Sequence, residues 1–484
     1  MRGGKGREGE RGKVPCVCTK NQVTLSFATW RREKQVPWTS PLSAGVSFTA
    51  LSHFAGPSAA SRGTMGSGIS KGGAEGMPLE TIKAHNDCIN CMALSEDASL
   101  LVTGSDDTTA KMWSTKTDCV EDLGTLEGHQ SFIQCVTIYD TYVITGSKDA
   151  TLKLWDMSSM ECLFTYVGHT NRINRLICTG EFIFSTSHDK TARAWLFDTQ
   201  EVEEPSDACI RTFEGHTSIV SPIIFVPGTS IGFPDERGMN INPADKVITG
   251  SFDNTARVWS FDTGICLKVL KGHRLPITCM DTDPKGTILY TAGQDKAIIA
   301  WDIARGHIMK RVDEAHAGAI LHLRVVNRLA YTCSTDYTAK CWVREGLENT
   351  RTYKEHTDSV ITARFHNGIL YTASNDGLVR AFDAKSGALK RKFKGHDSGV
   401  TCMTVCVKEH NGEVFTWIVS GGNDSTIKVW NATGLSEEFP DVPQPSHEYD
   451  FTQDERLDDL DRRLDDYMPN SPPPDDASLE ILDS

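Results

Sequence analysis

The sequence predicts an all-β fold, an eight-bladed β-propeller with disordered N- and C-terminal extensions. Three observations predict it. A His, an Asp and an aromatic residue recur eight times at regular spacing. Short alternating runs fill the intervals between them. The charge balance changes outside residues 79–432, with +7 over 1–64 and −13 over 433–484.

The repeat comes first, because a period near forty residues signals a repeat architecture. His85, Asp107 and Trp113 form the first unit, and His129, Asp149 and Trp155 the second. His169, Asp189 and Trp195 follow, then His216, Asp253 and Trp259, then His273, Asp295 and Trp301. His316, Asp336 and Trp342 make the sixth unit, His356, Asp376 and Phe382 the seventh, and His396, Asp424 and Trp430 the eighth. The aromatic residue always stands six positions after the Asp, and successive His are 40 to 47 apart except for one interval of 57.

Runs such as LLVTGS, YVITGS and ILYTAG alternate with period two and read as half-buried strands. Each Asp sits in a tight polar turn, as in SKDAT and SFDNT, followed by a strand such as LKLWD or ARVWS. That is a hairpin signature. Four short strands per unit describe one propeller blade.

With GHT or GHR opening units and LWD or VWS closing them, residues 79–431 resemble the WD-repeat family. The resemblance implies a buried hydrogen-bonded chain of Ser, turn Asp, leading His and third-strand Trp in each blade. Ser105, Ser147, Ser187, Ser251, Ser334 and Ser374, two before the Asp, are the expected Ser. Such a chain satisfies buried polar groups, and each Trp removes about 150–250 Å² from water. Gly293 and Gly422 stand where Ser is expected, and Phe382 has no N–H to donate, so weaker rims are expected in units five, eight and seven. The resemblance further implies that Leu79–Ile82 form the outer strand of the last blade, which removes exposed sheet edges. A start at Met65 would leave a Gly-rich lead over 65–78.

Catalysis is not expected. A Ser, His and Asp constellation suits a hydrolase, but an active site occurs once and this pattern occurs eight times. Cys88 and Cys91 form a Cys-x-x-Cys, yet the position six after the His is also Cys at 135, 279 and 402, where a thiol acts as a small hydrophobe. No second Cys-x-x-Cys or His pair completes a zinc site. No cofactor and no metal are expected.

The partners expected are other proteins, met by a monomeric propeller. A net charge of −14 and an acidic tail repel phosphate backbones, which argues against nucleic acid. The family often binds through residues three and five after the leading His and the residue before the turn Asp. Those positions include Phe132, Gln134, Lys148, Arg172, Asn174, His188 and Phe252. Aromatic and Arg side chains are the usual anchors, and an exposed Phe252 on a turn invites a cover. Two long insertions, after Trp195 and within unit four, carry Glu201, Glu203, Glu204, Asp235 and Glu236 toward the opposite face. They are read either as a binding surface for a basic partner or as solvated loops.

The tail over 433–484 is expected to be disordered when free. Leu457, Leu460 and Leu464 line one face of a short helix over 453–467 that suits a partner groove. Residues 1–64 are basic and without periodicity. Inside RGTMGSGISKGG, Met65 and Gly66 fit the N-myristoylation pattern if the chain begins at Met65. One acyl chain binds membranes only marginally, so membrane contact is expected only through an acylated Gly66. Fifteen unpatterned cysteines and the lack of an 18-residue apolar run suit a reducing, cytoplasmic setting. The family also supplies substrate receptors of cullin-type ubiquitin ligases, which often carry Trp-Asp-x-Arg after a blade. WDMSS at Trp155 lacks the Arg, and in WDIAR at Trp301 the Arg comes one position late, so an adaptor scaffold is the leading reading.

Overall fold

The computed structural model describes residues 74–435 except 118, 201, 229–240 and 411–412. The basic extension, Gly66, the acidic tail beyond Leu435 including the helix expected over 453–467, Glu201, Asp235 and Glu236 lie outside the described residues.

Among the described residues there is no helix, and the strands form eight sheets. The first blade is Ile89–Leu94, Leu100–Ser105, Ala110–Ser114 and Glu121–Leu126, paired antiparallel in chain order. Blades two to seven repeat that order, and each inner strand touches the inner strands of the blades on either side. The inner strands of blades eight and one also meet, so the ring is closed.

The last blade is completed by the chain's beginning. Its strands Val400–His410, Glu413–Gly422 and Thr426–Asn431 are joined by Glu80–Lys83 as outer strand, with Glu80 opposite Val429 and Lys83 opposite Thr426. A further short strand, Ala74–Gly76, adds in parallel to the outer strand of blade seven, Leu389–Lys394. Part of the Gly-rich lead is therefore tied to the propeller.

The strand reading needs one correction. The second strands alternate in sequence but not in burial: in Tyr142–Ser147 every residue after the first is buried. Both faces of each radial sheet are covered by neighbouring blades, so Thr, Gly and Ser are buried along with Val and Ile. The inner, third and outer strands keep a graded pattern, as in Ile133–Tyr139, Leu152–Asp156 and Leu389–Lys394. The core lies between blades. Cys91 and Met112 of blade one pack with Ile133, Val143 and Trp155 of blade two. Ala84 and Trp113 pack with Cys402, Trp417 and Val429 across the closure.

The hairpin turns explain the fixed spacing. The residue after each turn Asp has positive φ: 73° at Thr108, 69° at Ala150, 72° at Lys190, 69° at Asn254 and 65° at Lys296. Tyr337, Gly377 and Ser425 follow at 70°, 76° and 63°. A left-handed residue costs a non-Gly side chain roughly 1–2 kcal/mol. The Asp carboxylate offsets that cost by accepting from the amide two residues on, at 3.0 Å from Thr109 and 2.9 Å from Thr151.

Gly293 has its own reason. A Cβ there would lie 2.3 Å from the Pro276 carbonyl oxygen, a backbone atom with no rotamer to yield. Gly293→Ser, although it restores the residue found in six other units, is expected to destabilise by about 1–3 kcal/mol through overpacking. Denaturant melts of both proteins test this, and a more stable Ser variant would refute it.

Candidate interaction surface

The buried hydrogen-bonded chain is complete in seven blades and lacks its indole donor in blade seven, with one correction to its membership. In blade one the Trp113 indole donates to Thr103 Oγ1 at 3.0 Å, and His85 Nε2 lies 2.9 Å from the same hydroxyl. An indole N–H only donates, so the hydroxyl hydrogen goes to Nε2 and Nδ1–H goes to the carboxylate. His85 Nδ1 is 2.9 Å from Asp107 Oδ2, which also accepts from the Asn86 amide at 3.0 Å.

The hydroxyl is thus Thr103, four before the Asp, and not Ser105. The counterparts are Thr145, Ser185, Thr249, Thr291, Thr332, Thr372 and Ser420. Ser105 instead accepts from the Asp107 amide at 3.1 Å and donates to the Asp87 carbonyl at 3.2 Å. Gly293 and Gly422 therefore cost their blades a turn clasp and leave the buried chain whole. The signal was in the sequence: a hydroxyl stands four before the Asp in all eight units, whereas the Ser two before it fails twice.

Blade seven differs. Phe382 cannot donate, and Leu378 stands where six other blades use a Thr hydroxyl on the Asp. Arg380 fills the gap. Its Nη1 donates to Asp376 Oδ2 at 2.7 Å and also touches His356 Nδ1.

These groups set a pH dependence. Burial by itself would raise the Asp149 carboxyl, but hydrogen bonds from His129 and Thr151 outweigh it and hold the group well below the carboxylate range. Asp107, Asp189, Asp253, Asp336, Asp376 and Asp424 are lowered in the same way. Burial holds His169, His316 and His356 below the ordinary imidazole value. These imidazoles stay neutral in the fold, whereas the unfolded chain protonates below about 6.5. The carboxylates stabilise the fold above their unfolded value near 4 and lose that effect as pH falls through it. Both signs agree. Calorimetric melting temperature is expected to fall from about pH 6.5 downward and more steeply below about 4, and a rise between 7 and 5 would contradict the assignment.

The turns stand together on one rim. The amide before each turn Asp donates to the carbonyl three after the leading His: Lys148 to Phe132 at 2.8 Å, His188 to Arg172 at 3.0 Å, Phe252 to Ile219 at 2.9 Å, and likewise in the other five blades. Rim neighbours are thereby locked in pairs. In blade two Lys148 Nζ lies 4.7 Å from the Phe132 ring centroid, and the ring is 36% exposed. In blade three burial and the nearby Arg172 push His188 down to about 4. Blades six to eight place only Ala319 and Thr335, Ser359 and Asn375, and Gly399 and Asn423 at these positions. Leu275 and Tyr337 are exposed on turns of the same rim, a pair the sequence reading missed.

Asn174, Gln134 and Phe252 are half-buried, as Arg172 and His188 are. Asn174 Nδ2 donates to the Val220 carbonyl at 2.6 Å, lacing blade three to blade four. Asn90 does the same to Ile133 at 2.9 Å, so the position five after the His serves blade-to-blade attachment. Gln134 occupies that position and is half-buried, and Phe252 is half-buried rather than exposed. On the opposite face the base of the first insertion is packed: Phe197 stands edge-on against Tyr139 and Tyr142, at 5.4 and 5.5 Å between centroids. Asp245 clasps the base of the second by accepting from Gly228 at 2.7 Å and Asn242 at 3.2 Å.

The Cys-x-x-Cys is split. The Cys91 thiol sits against Gly104, while Cys88 donates toward the Asn423 carbonyl at 3.5 Å. Burial pushes Cys88 up to about 11 and Cys91 well above the usual thiol value.

Matches to known proteins agree with this geometry. Residues 76–114, 120–156, 160–195, 207–260, 264–302 and 387–431 match the family described as WD domain, G-beta repeat, over just more than half the chain. The chain belongs to the WD-repeat family. It is 26% identical over 305 residues to nuclear distribution protein nudF 2 of Penicillium rubens, covering 52% of this chain and 64% of that one, just under two thirds of its length. It is 23% identical to a p21-activated protein kinase-interacting protein 1-like protein of Danio rerio, covering 58% and 69%. The solved Sqt1 of Saccharomyces cerevisiae shares the fold, with TM-score 0.65 at 16% identity over 74% of this chain and 99% of that one. WD-repeat propellers are typically interaction scaffolds without catalytic activity, and no catalytic family is among these matches.

Proposed function

We propose that this propeller is a non-catalytic scaffold that holds a protein partner on the rim of blades two to four. The observation that carries the reading is the contrast around the rim. Phe132 with Lys148 and Arg172 with His188 stand side by side, whereas blades six to eight place only small residues and amides at the same two positions. Aromatic and Arg side chains in partly desolvated settings dominate interface energies. The Danio rerio relative is itself named for an interaction with a protein kinase. The ubiquitin-ligase alternative gains nothing from Arg305, whose guanidinium pairs with Asp302 at 3.2 Å on an exposed turn.

Partners captured with the full chain test the reading. The double variant Phe132→Ala and Arg172→Glu is expected to weaken the captured partner at least tenfold, or about 1.4 kcal/mol, with an unchanged melting temperature. Asn375→Ala, on the small-residue side, is expected to bind normally. Equal loss with both variants, or with neither, would remove this sector as the site.

A further inference from the structure

The innermost strands meet around the axis, and the sixth residue after each leading His repeats on all of them. Four of these residues are cysteines; the other four are Arg175, Pro222, His322 and Thr362. Two positions later stand Asp281, Arg324 and Arg364 in blades five, six and seven.

Arg175 of blade three is 9% exposed and stands on the inner strand Ile173–Cys178, one of the eight that ring the axis. From the far side, Arg364 Nη1 donates to His322 Nε2 at 3.4 Å. Burial and the surrounding Arg364, Arg324 and Arg175 keep that imidazole neutral. With Nε2 accepting, the ring hydrogen sits on Nδ1. That buried Nδ1 has no hydrogen-bond partner among the described residues, and neither does the Thr362 hydroxyl. The two residues are 5% and 1% exposed.

Asp281 lies 3.5 Å from Arg324 and accepts from the Val325 amide at 2.8 Å, whereas no carboxylate pairs with Arg364 among the described residues. Buried cations and buried donors without acceptors are both costly. An oxyanion removes both costs, because its lone pairs match guanidinium, imidazole N–H and hydroxyl at once.

We propose that the axial channel binds a small oxyanion between Arg364, His322 and Thr362, with Arg175 facing them across the axis. The group is either a free phosphate-like ion or the carboxylate of an acidic side chain entering from the rim. The site is separate from the Phe132–Arg172 sector and does not depend on it.

The test uses the full chain in chloride buffer at constant ionic strength, with inorganic phosphate or acetyl-Gly-Glu-Gly-amide as probe. A bound probe raises the melting temperature in proportion to the logarithm of its concentration above its dissociation constant. Either probe is expected to give a saturable rise whose midpoint shifts at least tenfold in Arg364→Met. A response to phosphate assigns a free ion, and a response to the Glu peptide but not its Gln counterpart assigns a carboxylate. Thr362→Val keeps the side-chain shape and removes one donor; should Arg364→Met fail to fold, its midpoint must move several-fold. No response to either probe, or responses unchanged by the variants, would overturn the proposal.

Discussion

A chain that begins at His85 is expected to lose its monomeric, cooperatively melting state. The outer strand of blade eight is Glu80–Lys83, and its removal exposes the whole edge of Thr426–Asn431. The bond from the Leu79 amide to the Val429 carbonyl, at 2.7 Å, and that from the Ala84 amide to Ser425, at 3.2 Å, go with it. Ile82, which packs on the cluster joining blades eight and one, is lost too. At about 1 kcal/mol net per backbone hydrogen bond and 1–2 kcal/mol for a partly buried Ile, the loss is roughly 5 kcal/mol. That rivals the whole stability of many domains. The bare edge would also pair with other chains. Light scattering on a sizing column is expected to show aggregates for this truncation. A chain starting at Ala74 keeps every one of these contacts and is expected to stay monomeric with an unchanged melt. A well-behaved monomer from the His85 start would show that the closure contributes little.

Arg380→Met is expected to cost about 3–5 kcal/mol, the scale for breaking a buried ion pair from one side. Arg380 and Asp376 are each 4% exposed as side chains and 2.7 Å apart. In six other blades a Thr hydroxyl serves the turn Asp directly. Thr109, for example, donates its hydroxyl to Asp107 at 2.7 Å. Leu378 cannot do this, so the guanidinium carries the contact. The explanation predicts its own rescue: Leu378→Thr placed on Arg380→Met returns a hydroxyl to Asp376 and is expected to recover about 1 kcal/mol. Urea unfolding of the three proteins decides it. A single-variant loss below about 1 kcal/mol, or no rescue, would mean that Arg380 only fills space.

Much of the fold was legible because the repeat writes it eight times. One unit of His, Asp and Trp would have passed for a hydrolase constellation or for scattered surface residues. Eight units with a constant Asp-to-aromatic distance leave a hairpin whose carboxylate must reach the same amides each time, as Asp107 and Asp149 do. The interaction surface was less legible. Asn174 and Arg172 occupy rim positions of the same kind in sequence, yet one donates across to Val220 and the other stands half-buried beside His188. Nothing local separates them, because the choice depends on where the next blade's inner strand passes.

By itself the sequence determined the number of blades and the position of each turn Asp, since both follow from short-range spacing repeated along the chain, while the closure by the first strand was what the family resemblance implied. Only the tertiary structure decided which hydroxyl completes the buried chain and that Gly293 yields to the Pro276 carbonyl. It also decided that Arg380 stands in for Thr, and that Arg175, His322, Thr362 and Arg364 meet near one axis. Those outcomes depend on side chains from different blades, up to 189 positions apart between Arg175 and Arg364. Ring closure brings them within reach of one another, and no local pattern encodes that distance.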